Sequence, residues 1–374
     1  MTAPRPVRVL VTGGGTGGHV YPGLAVAEAL RALDPDLEIR FVGTRRGLER
    51  VLVPRAGWPL DFVPASGFRG LGPVGRLVFL GNLAAGTLRS LVLLARRRPH
   101  IVLGTGGYVC APVLLAGRLA GVPCALQEQN AVPGSANRLV GRWARRVYLG
   151  FGEAARWFPA GVCVETGNPV RGAFAAQAPA APRAPGAPLR LLVFGGSRGA
   201  HTLNAAVAAA APAWAQADLE LLAQTGPADL AEVQAAWAGA DPQRVRIVPY
   251  IEDMAGALAW ADLVVCRAGA MTLAELQAAG RPAVLVPFPF ATDDHQRLNA
   301  EACARAGAAV VLPDERCDGP TLTGTVAELG ADPARLQAMG AAARQLARPQ
   351  AAVTIARDLL HMIGHPAGAP ARAG

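Results

Sequence analysis

Apolar and polar positions along the chain fall into two alternating rhythms. Short β-branched runs are followed by polar or glycine-rich turns, and these by stretches whose apolar residues recur every three or four positions. Val7–Val11 is such a run; glycines follow, then Leu24, Ala25, Val26, Ala29 and Leu30 at helical spacing, with Pro22 near the expected helix start. Glu38–Gly43, Ile101–Gly104 and Pro123–Leu126 repeat the strand pattern in the first half. Leu189–Phe194, Leu219–Leu222, Val245–Pro249, Asp262–Cys266 and Pro282–Pro289 repeat it in the second. Between the halves, residues 173–188 are almost entirely Ala, Pro and Gly, the composition of a linker or long surface loop. Strands alternating with helices predict parallel sheets covered on both faces. The restart after residue 188 predicts an α/β chain of two Rossmann-like domains facing across a cleft.

The turns carry the candidate chemistry. After the first strand come Gly13, Gly14, Gly15, Gly17, Gly18 and then His19. Glycines there let the backbone turn sharply and bring N–H groups to a ligand at the positive end of a helix. An imidazole at such a mouth is a candidate general base. Gly13-x-Gly15-x-x-Gly18 also fits a dinucleotide fingerprint, with Asp34 or Asp36 following. A second loop, Gly195-Gly196-Ser197-Arg198-Gly199-Ala200, opens the second half, and this duplication disfavours a nicotinamide dehydrogenase with its usual single loop. Further strand ends carry Gly104-Thr105-Gly106-Gly107-Tyr108 and Gln127-Glu128-Gln129-Asn130. In doubly wound sheets ligands sit beyond such ends, although each cluster alone also reads as an ordinary loop. Past Asp262–Cys266, Thr272 is a candidate cap, and Glu275 is expected on the first helical turn, where its carboxylate could take both hydroxyls of a ribose. Asp293-Asp294-His295 suggests a metal, but the three are adjacent and no further ligand is near in sequence.

Composition narrows these readings. The 374 residues are 52% hydrophobic and 17% charged, long enough for two cores. The net charge is +9 and every basic residue other than histidine is arginine. Without lysine there is no Walker A loop, and any anion must be gripped by arginine or backbone. A nucleic-acid binder would interleave arginines with stacking aromatics, yet aromatics are 5% of the chain and form no such set, so no nucleic-acid partner is expected. The six cysteines include no C-x-x-C pair, so free thiols are expected rather than zinc or disulfides. No apolar leader precedes the first strand and no uninterrupted apolar run reaches about twenty residues, so a soluble or peripheral protein is expected. Within 66–98, Leu77–Leu80 and Leu91–Leu94 are edged by Arg69, Arg76 and Arg96–Arg98. That pattern suits a helix on an anionic lipid surface or a core helix with solvated ends, and periodicity does not separate them.

Taken together and in order, these pieces resemble one family. Gly14–His19, Gly106-Gly107-Tyr108, Glu128-Gln129-Asn130 and Asn168-Pro169-Val170-Arg171 look like the N-terminal half of the MurG family. Gly195-Gly196-Ser197, Arg267–Glu275 and His295-Gln296-x-x-Asn299-Ala300 look like its C-terminal half. These are bacterial UDP-N-acetylglucosamine:lipid I N-acetylglucosaminyltransferases. The resemblance implies the GT-B fold, with an acceptor- and membrane-facing domain over residues 1–168 and a UDP-GlcNAc-binding domain over 169–344. The last helix, within about 345–374, would pack back on the first domain. It implies inverting transfer of N-acetylglucosamine from UDP-GlcNAc to the C4 hydroxyl of lipid I, at the inner face of the cytoplasmic membrane, without a metal or other cofactor. By motif position His19 would be the base. Ser197, Ile251, Ala270, Met271, Thr272, Leu273, Ala274, Glu275 and Gln296 would hold the nucleotide. Thr16, Gly17, Gly18, Asn130 and Arg171 would complete the donor site. Gly106, Gly107, Tyr108 and Glu128 would lie on the acceptor side, and residues 66–80 would form the membrane lip. Two positions depart from the family pattern. Gln127 stands where His is usual and cannot act as acid or base. Arg198 stands where Gln is frequent and would add charge near the phosphates.

Overall fold

The computed structural model describes residues 6–67, 72–175, 183, 184, 186–196, 199–291 and 294–365. The chain divides into two compact units, one of residues 1–172 with 348–374, the other of 173–347.

The first unit is built on a parallel sheet of seven strands: β1 (Arg8–Thr12), β2 (Glu38–Gly43), β3 (Leu60–Phe62), β4 (Ile101–Gly104), β5 (Cys124–Glu128), β6 (Arg146–Leu149) and β7 (Cys163–Glu165), ordered β3-β2-β1-β4-β5-β6-β7. Val9, Val11, Ile101 and Leu103 turn to one face, beneath the helices Gly17–Leu33 and Ala351–Met362. Leu10, Val102 and Leu126 turn to the other, with the helix Cys110–Leu119. Alternate strand residues thus serve two cores, which is why the runs read as continuously apolar. The second unit repeats the plan with β8 (Leu189–Phe194), β9 (Leu219–Gln224), β10 (Val245–Val248), β11 (Leu263–Cys266), β12 (Ala283–Leu285) and β13 (Ala309–Val311), ordered β10-β9-β8-β11-β12-β13. In both sheets the order reverses once, between β1 and β4 and between β8 and β11. Those switch points are where doubly wound sheets leave a crevice beyond their strand ends. The glycine loops after β1, β4 and β8 all emerge there.

Helix Ala351–Met362 belongs to the first unit although the whole second unit precedes it. Ile355, Ala356, Leu359 and Leu360 are fully buried, in one cluster with Val26 and Leu30 of helix Gly17–Leu33. Asp358 accepts from the Tyr148 hydroxyl at 2.8 Å and pairs with Arg146 at 3.3 Å.

Several expected boundaries move. Helix Gly17–Leu33 starts five residues before Pro22, because the Thr16 carbonyl already accepts from the N–H groups of His19 and Val20. Pro22 lies inside it, with no N–H to give the carbonyl one turn earlier. Gln127 and Glu128 belong to β5, and β12 covers only three residues of its apolar run. The two apolar pieces of 66–98 are one helix, Pro73–Arg97. It is long and apolar enough by length and composition to cross a membrane, against the expectation from uninterrupted runs. Its packed side holds Thr87, Ser90 and Leu94, and the two hydroxyls bond back to the carbonyls one turn earlier. Its other side exposes Val74, Leu77, Val78, Leu80 and Leu88.

Candidate active site

At the switch point of the first unit, two glycine loops lock together. Gly14 N–H donates to the Gly106 carbonyl at 3.2 Å. Gly106 and Gly107 have φ of +104° and +84°, and a Cβ on Gly107 would stand 2.2 Å from the Gly14 oxygen. Only glycine satisfies both conditions. A Cβ on Gly106 would meet the His19 ring 2.5 Å from Cδ2, so the imidazole lies against bare backbone. His19 is half-buried on the first turn of helix Gly17–Leu33, and its Nδ1 is 3.3 Å from Thr16 Oγ1. The Thr105 hydroxyl donates to the His19 carbonyl at 2.6 Å. Below the loops, Cys110 is fully buried; its thiol lies 3.1 Å from the carbonyls of both Thr12 and Gly106. Burial pushes that thiol up to about 12, so it stays a protonated strut.

The end of β5 adds a buried polar cluster. Glu128 accepts from Asn130 N–H at 2.9 Å, the Asn130 side chain at 3.2 Å and Asn137 at 2.8 Å. Burial raises its carboxyl above the ordinary range, against the lowering pull of those donors. Gln127 is fully buried and donates to Asn168 at 2.9 Å, while Gln129 bonds Gln127 and the Thr105 carbonyl. The position where the family usually has His thus holds a structural amide. Arg171 stacks over Tyr21, 4.7 Å from the ring centre, and Tyr21 in turn packs against Gly17. Tyr108 is exposed, its ring beside Gly67.

In the second unit the loop after β8 contains Gly196 and Gly199 with φ of +94° and +81°. A Cβ on Gly199 would fall 2.0 Å from the Thr225 oxygen. Gln224, buried at the end of β9, donates to the Gly196 carbonyl at 2.9 Å and accepts from Ile251 N–H at 2.9 Å. One amide therefore ties the loop to Ile251. Asn204 bridges the Thr225 carbonyl and Asp229. Ser197, Arg198, Thr292 and Asp293 lie outside the described residues. Beyond β11, Gly269 caps helix Ala270–Ala279. Ala270, Met271 and Leu273 are buried, whereas Thr272, Ala274 and Glu275 are partly open. Arg267 is nearly buried, held by Asp314 and by the Val286 and Pro287 carbonyls. Gln296 accepts from Phe288 N–H at 3.0 Å.

Comparison with known proteins agrees with this architecture. Residues 9–149 match the glycosyltransferase family 28 N-terminal domain, and residues 190–355 the family 28 C-terminal domain. A protein of Syntrophotalea carbinolica, named UDP-N-acetylglucosamine–N-acetylmuramyl-(pentapeptide) pyrophosphoryl-undecaprenol N-acetylglucosamine transferase, is 43% identical, with 96% of this chain and 99% of that protein covered. A protein of the same name from Solidesulfovibrio magneticus is 46% identical over 96% of this chain and 98% of its own length. The chain belongs to the MurG family. The crystal structure of Acinetobacter baumannii MurG is 33% identical and superposes with a TM-score of 0.75, covering 96% of this chain and all of that one. The fold class is GT-B, two parallel-sheet Rossmann-like domains. A UDP-N-acetylglucosamine 2-epimerase structure, 16% identical with a TM-score of 0.66 over 96% and 97% of the two chains, shares the fold alone.

Set on this MurG-type scaffold, the expected residues gather within each unit. Thr16, Gly17, Gly18, His19, Gly106 and Gly107 meet at one switch point, and Arg171 reaches Gly17 through Tyr21. Asn130 and Glu128 form a pair. Two expectations about helix Ala270–Ala279 do not hold. Glu275 is its sixth residue, past the first turn, and Thr272 makes no cap bond, because the helix starts directly from Gly269. Asp294 binds Arg297, and among the described residues no three His, Cys, Asp or Glu side chains gather as metal ligands would. Sequence reading placed Thr105 only in its own loop and missed Glu49, Cys110, Gln224 and Asn204 as supports. Each makes a bond to a segment distant in sequence. The available signal was a lone polar residue at the end of an apolar run, for Gln224 and Thr105, or at a helix start, for Glu49.

Proposed function

We propose that this chain transfers N-acetylglucosamine from UDP-GlcNAc to the C4 hydroxyl of the muramic sugar of lipid I, making lipid II for peptidoglycan with inversion at the sugar's anomeric carbon. The observation that carries the reading is the near full-length relation to transferases named for that reaction. His19 on a glycine-bounded helix start gives it a chemical centre. In this reading the acceptor oxygen attacks the anomeric carbon and passes its proton to His19, while UDP leaves with the electrons of the broken bond. Thr16 on Nδ1 orients the ring. Thr16, Gly17, Gly18, Asn130 and Arg171 of the first unit contact the donor, while backbone N–H groups and helix N-termini of the second unit favour the anionic diphosphate. From the second unit, Ser197, Ile251, the Ala270–Glu275 turn and Gln296 hold the nucleotide, Glu275 taking the ribose hydroxyls. With Ala270, Met271 and Leu273 buried, their share is through backbone, leaving Thr272 and Glu275 the side chains able to reach a ligand. Gly106, Gly107, Tyr108 and Glu128 serve the acceptor side. Every one of these roles falls to a protein group, and the scheme asks for no metal.

The reading extends to a peripheral position on the cytoplasmic face of the membrane. Val74, Leu77, Val78 and Leu80, exposed beside Arg76, suit an anionic lipid surface; the adjoining residues 68–71 lie outside the described set. The deciding experiment supplies labelled UDP-GlcNAc with and without a lipid I analogue in anionic vesicles. Label moving into the lipid only when the analogue is present is the expected result. UDP-ManNAc formed from UDP-GlcNAc alone would instead assign an epimerase.

A further inference from the structure

The acid that the proposed chemistry leaves unused is Glu49. It is fully buried at the start of helix Glu49–Arg55, 34 positions from the loop it touches. One carboxylate oxygen, Oε2, accepts from Gly15 N–H at 2.8 Å. The other, Oε1, accepts from Thr44 N–H at 2.8 Å and from the Thr44 hydroxyl at 2.7 Å. Three glycines, one in the loop after β1, one ending β2 and one in the connection that follows it, clear space for this group. A Cβ on Gly14 would come 2.5 Å from its Cδ, one on Gly43 2.4 Å from its Cγ, and one on Gly47 2.0 Å from its Oε2. None of these three has a positive φ, so the carboxylate, not backbone conformation, is what excludes a side chain there. The surroundings form a socket for one buried carboxylate.

We propose that Glu49 is a positioning residue for His19, holding the Gly15 peptide whose setting aims the Thr16–His19 turn. This rests on the reading of His19 as the base. The linkage runs through bonds already described. Gly15 sits at φ +89°, Thr16 follows in an extended conformation, and the Thr16 carbonyl and hydroxyl then engage the N–H and Nδ1 of His19. Gly14 is also held by Gly106 and Gly107, so the Gly14–Gly15 link has two supports. Only an acid suits the socket. Three donors converge on it, and an amide would turn its own NH2 toward a backbone N–H on one side or the other. A buried donor left facing a donor is strongly unfavourable, so the loop would shift instead. The carboxylate also commits the Gly15 N–H, leaving Gly17 and Gly18 as the loop's free-standing N–H groups toward the donor, and it stands beside the start of helix Gly17–Leu33.

The test compares Glu49→Gln, Gly47→Ala, Glu49→Ala and the double variant Glu49→Ala/Gly47→Ala in the full chain with His19→Ala. Displacing a base by about an ångström costs roughly 10²-fold, and Glu49→Gln should lose that much kcat with KM for UDP-GlcNAc unchanged. The His19 imidazole resonances, identified by their loss in His19→Ala, should move in Glu49→Gln to those of a mixed tautomer. Gly47→Ala, which pushes the carboxylate aside without altering its chemistry, should do the same more weakly, and should add nothing in the Glu49→Ala background. Native kcat and native His19 signals in both Glu49→Gln and Gly47→Ala would overturn the proposal. So would kcat, KM and thermal midpoint falling together with Gly47→Ala still harmful beside Glu49→Ala, the mark of a purely structural role. Full turnover in His19→Ala would instead remove the base assignment. An inactive His19→Ala beside a native-like Glu49→Gln would remove the Glu49 role alone.

Discussion

The loops after β1 and β8 occupy the same place in two similar sheets, yet they are held by opposite chemistry. In the first, an ionisable side chain takes a backbone N–H, since Glu49 accepts from Gly15, and a thiol braces two carbonyls from below. In the second, a neutral amide takes a backbone carbonyl, since Gln224 donates to Gly196, and the same amide fixes Ile251. Among the described residues, no carboxylate accepts from the second loop itself. Under the proposed roles, a loop that aims a base benefits from a rigid carboxylate support, whereas a loop that meets a diphosphate is better without a fixed negative charge touching it. The two halves share a topology and differ in which backbone group is left for a ligand.

The largest effect expected from breaking this contrast is at the imidazole. His19→Ala should lower transfer by about 10²–10⁴-fold while calorimetric UDP affinity stays native, because the nucleotide contacts are assigned to the other half. Equal losses in both would mean that the first loop also carries nucleotide binding. Next comes the second half. Glu275→Ala removes a charged hydrogen-bond acceptor worth about 1.5–3 kcal/mol, so UDP should bind roughly 10–100-fold more weakly. An unchanged Kd would reject the ribose role.

Smaller, and aimed at scaffold rather than ligand, are Gly107→Ala and Gly199→Ala. Each forces a Cβ onto a carbonyl oxygen at a positive φ, and each should lower stability by more than about 1 kcal/mol in thermal melts. Gly107→Ala should in addition slow turnover through His19, and Gly199→Ala should weaken UDP binding. The reverse pairing would invert the comparison.

The smallest effect is one of pH. Burial holds the folded-state value of Glu128 above that of the unfolded chain. The stability from that retained proton is complete below the unfolded value and is lost as pH rises through the folded one. Glu128→Gln should therefore gain thermal midpoint relative to the native protein as pH climbs from acid to neutral. Asn137 can turn its unpartnered Oδ1 to the new amide. A constant offset at every pH would show that burial does not dominate.

Much of this was legible in the chain. Apolar runs mark β1, β4, β8 and β11 within a residue or two, the first three ending in glycine, since a parallel strand buried on both faces has few alternatives. The glycine clusters mark both switch points, and His19 stands out as a titratable ring at the mouth of a glycine loop. Glu49 was not legible, because its meaning depends on a contact 34 residues away, and a lone glutamate before an apolar helix reads as dipole compensation. The length of helix Pro73–Arg97 was not legible as a possible span, because its apolar residues fall in two clusters, Leu77–Leu80 and Leu91–Leu94, rather than one uninterrupted run. The start of helix Ala270–Ala279 was misjudged because Gly269 offers no side chain to announce a cap.

The helix Ala351–Met362 has a consequence for biogenesis. As the ribosome emits the polypeptide, the sheet of residues 189–311 can complete its fold while the earlier-made lobe still lacks a covering layer. The apolar cluster that holds Val26 and Leu30, on the segment that begins at the imidazole, stays incomplete until the dozen residues of that helix emerge and dock. A nascent chain arrested before residue 351 should therefore bind nucleotide through the lobe made second before the lobe made first becomes protease-resistant, reversing the usual order of maturation.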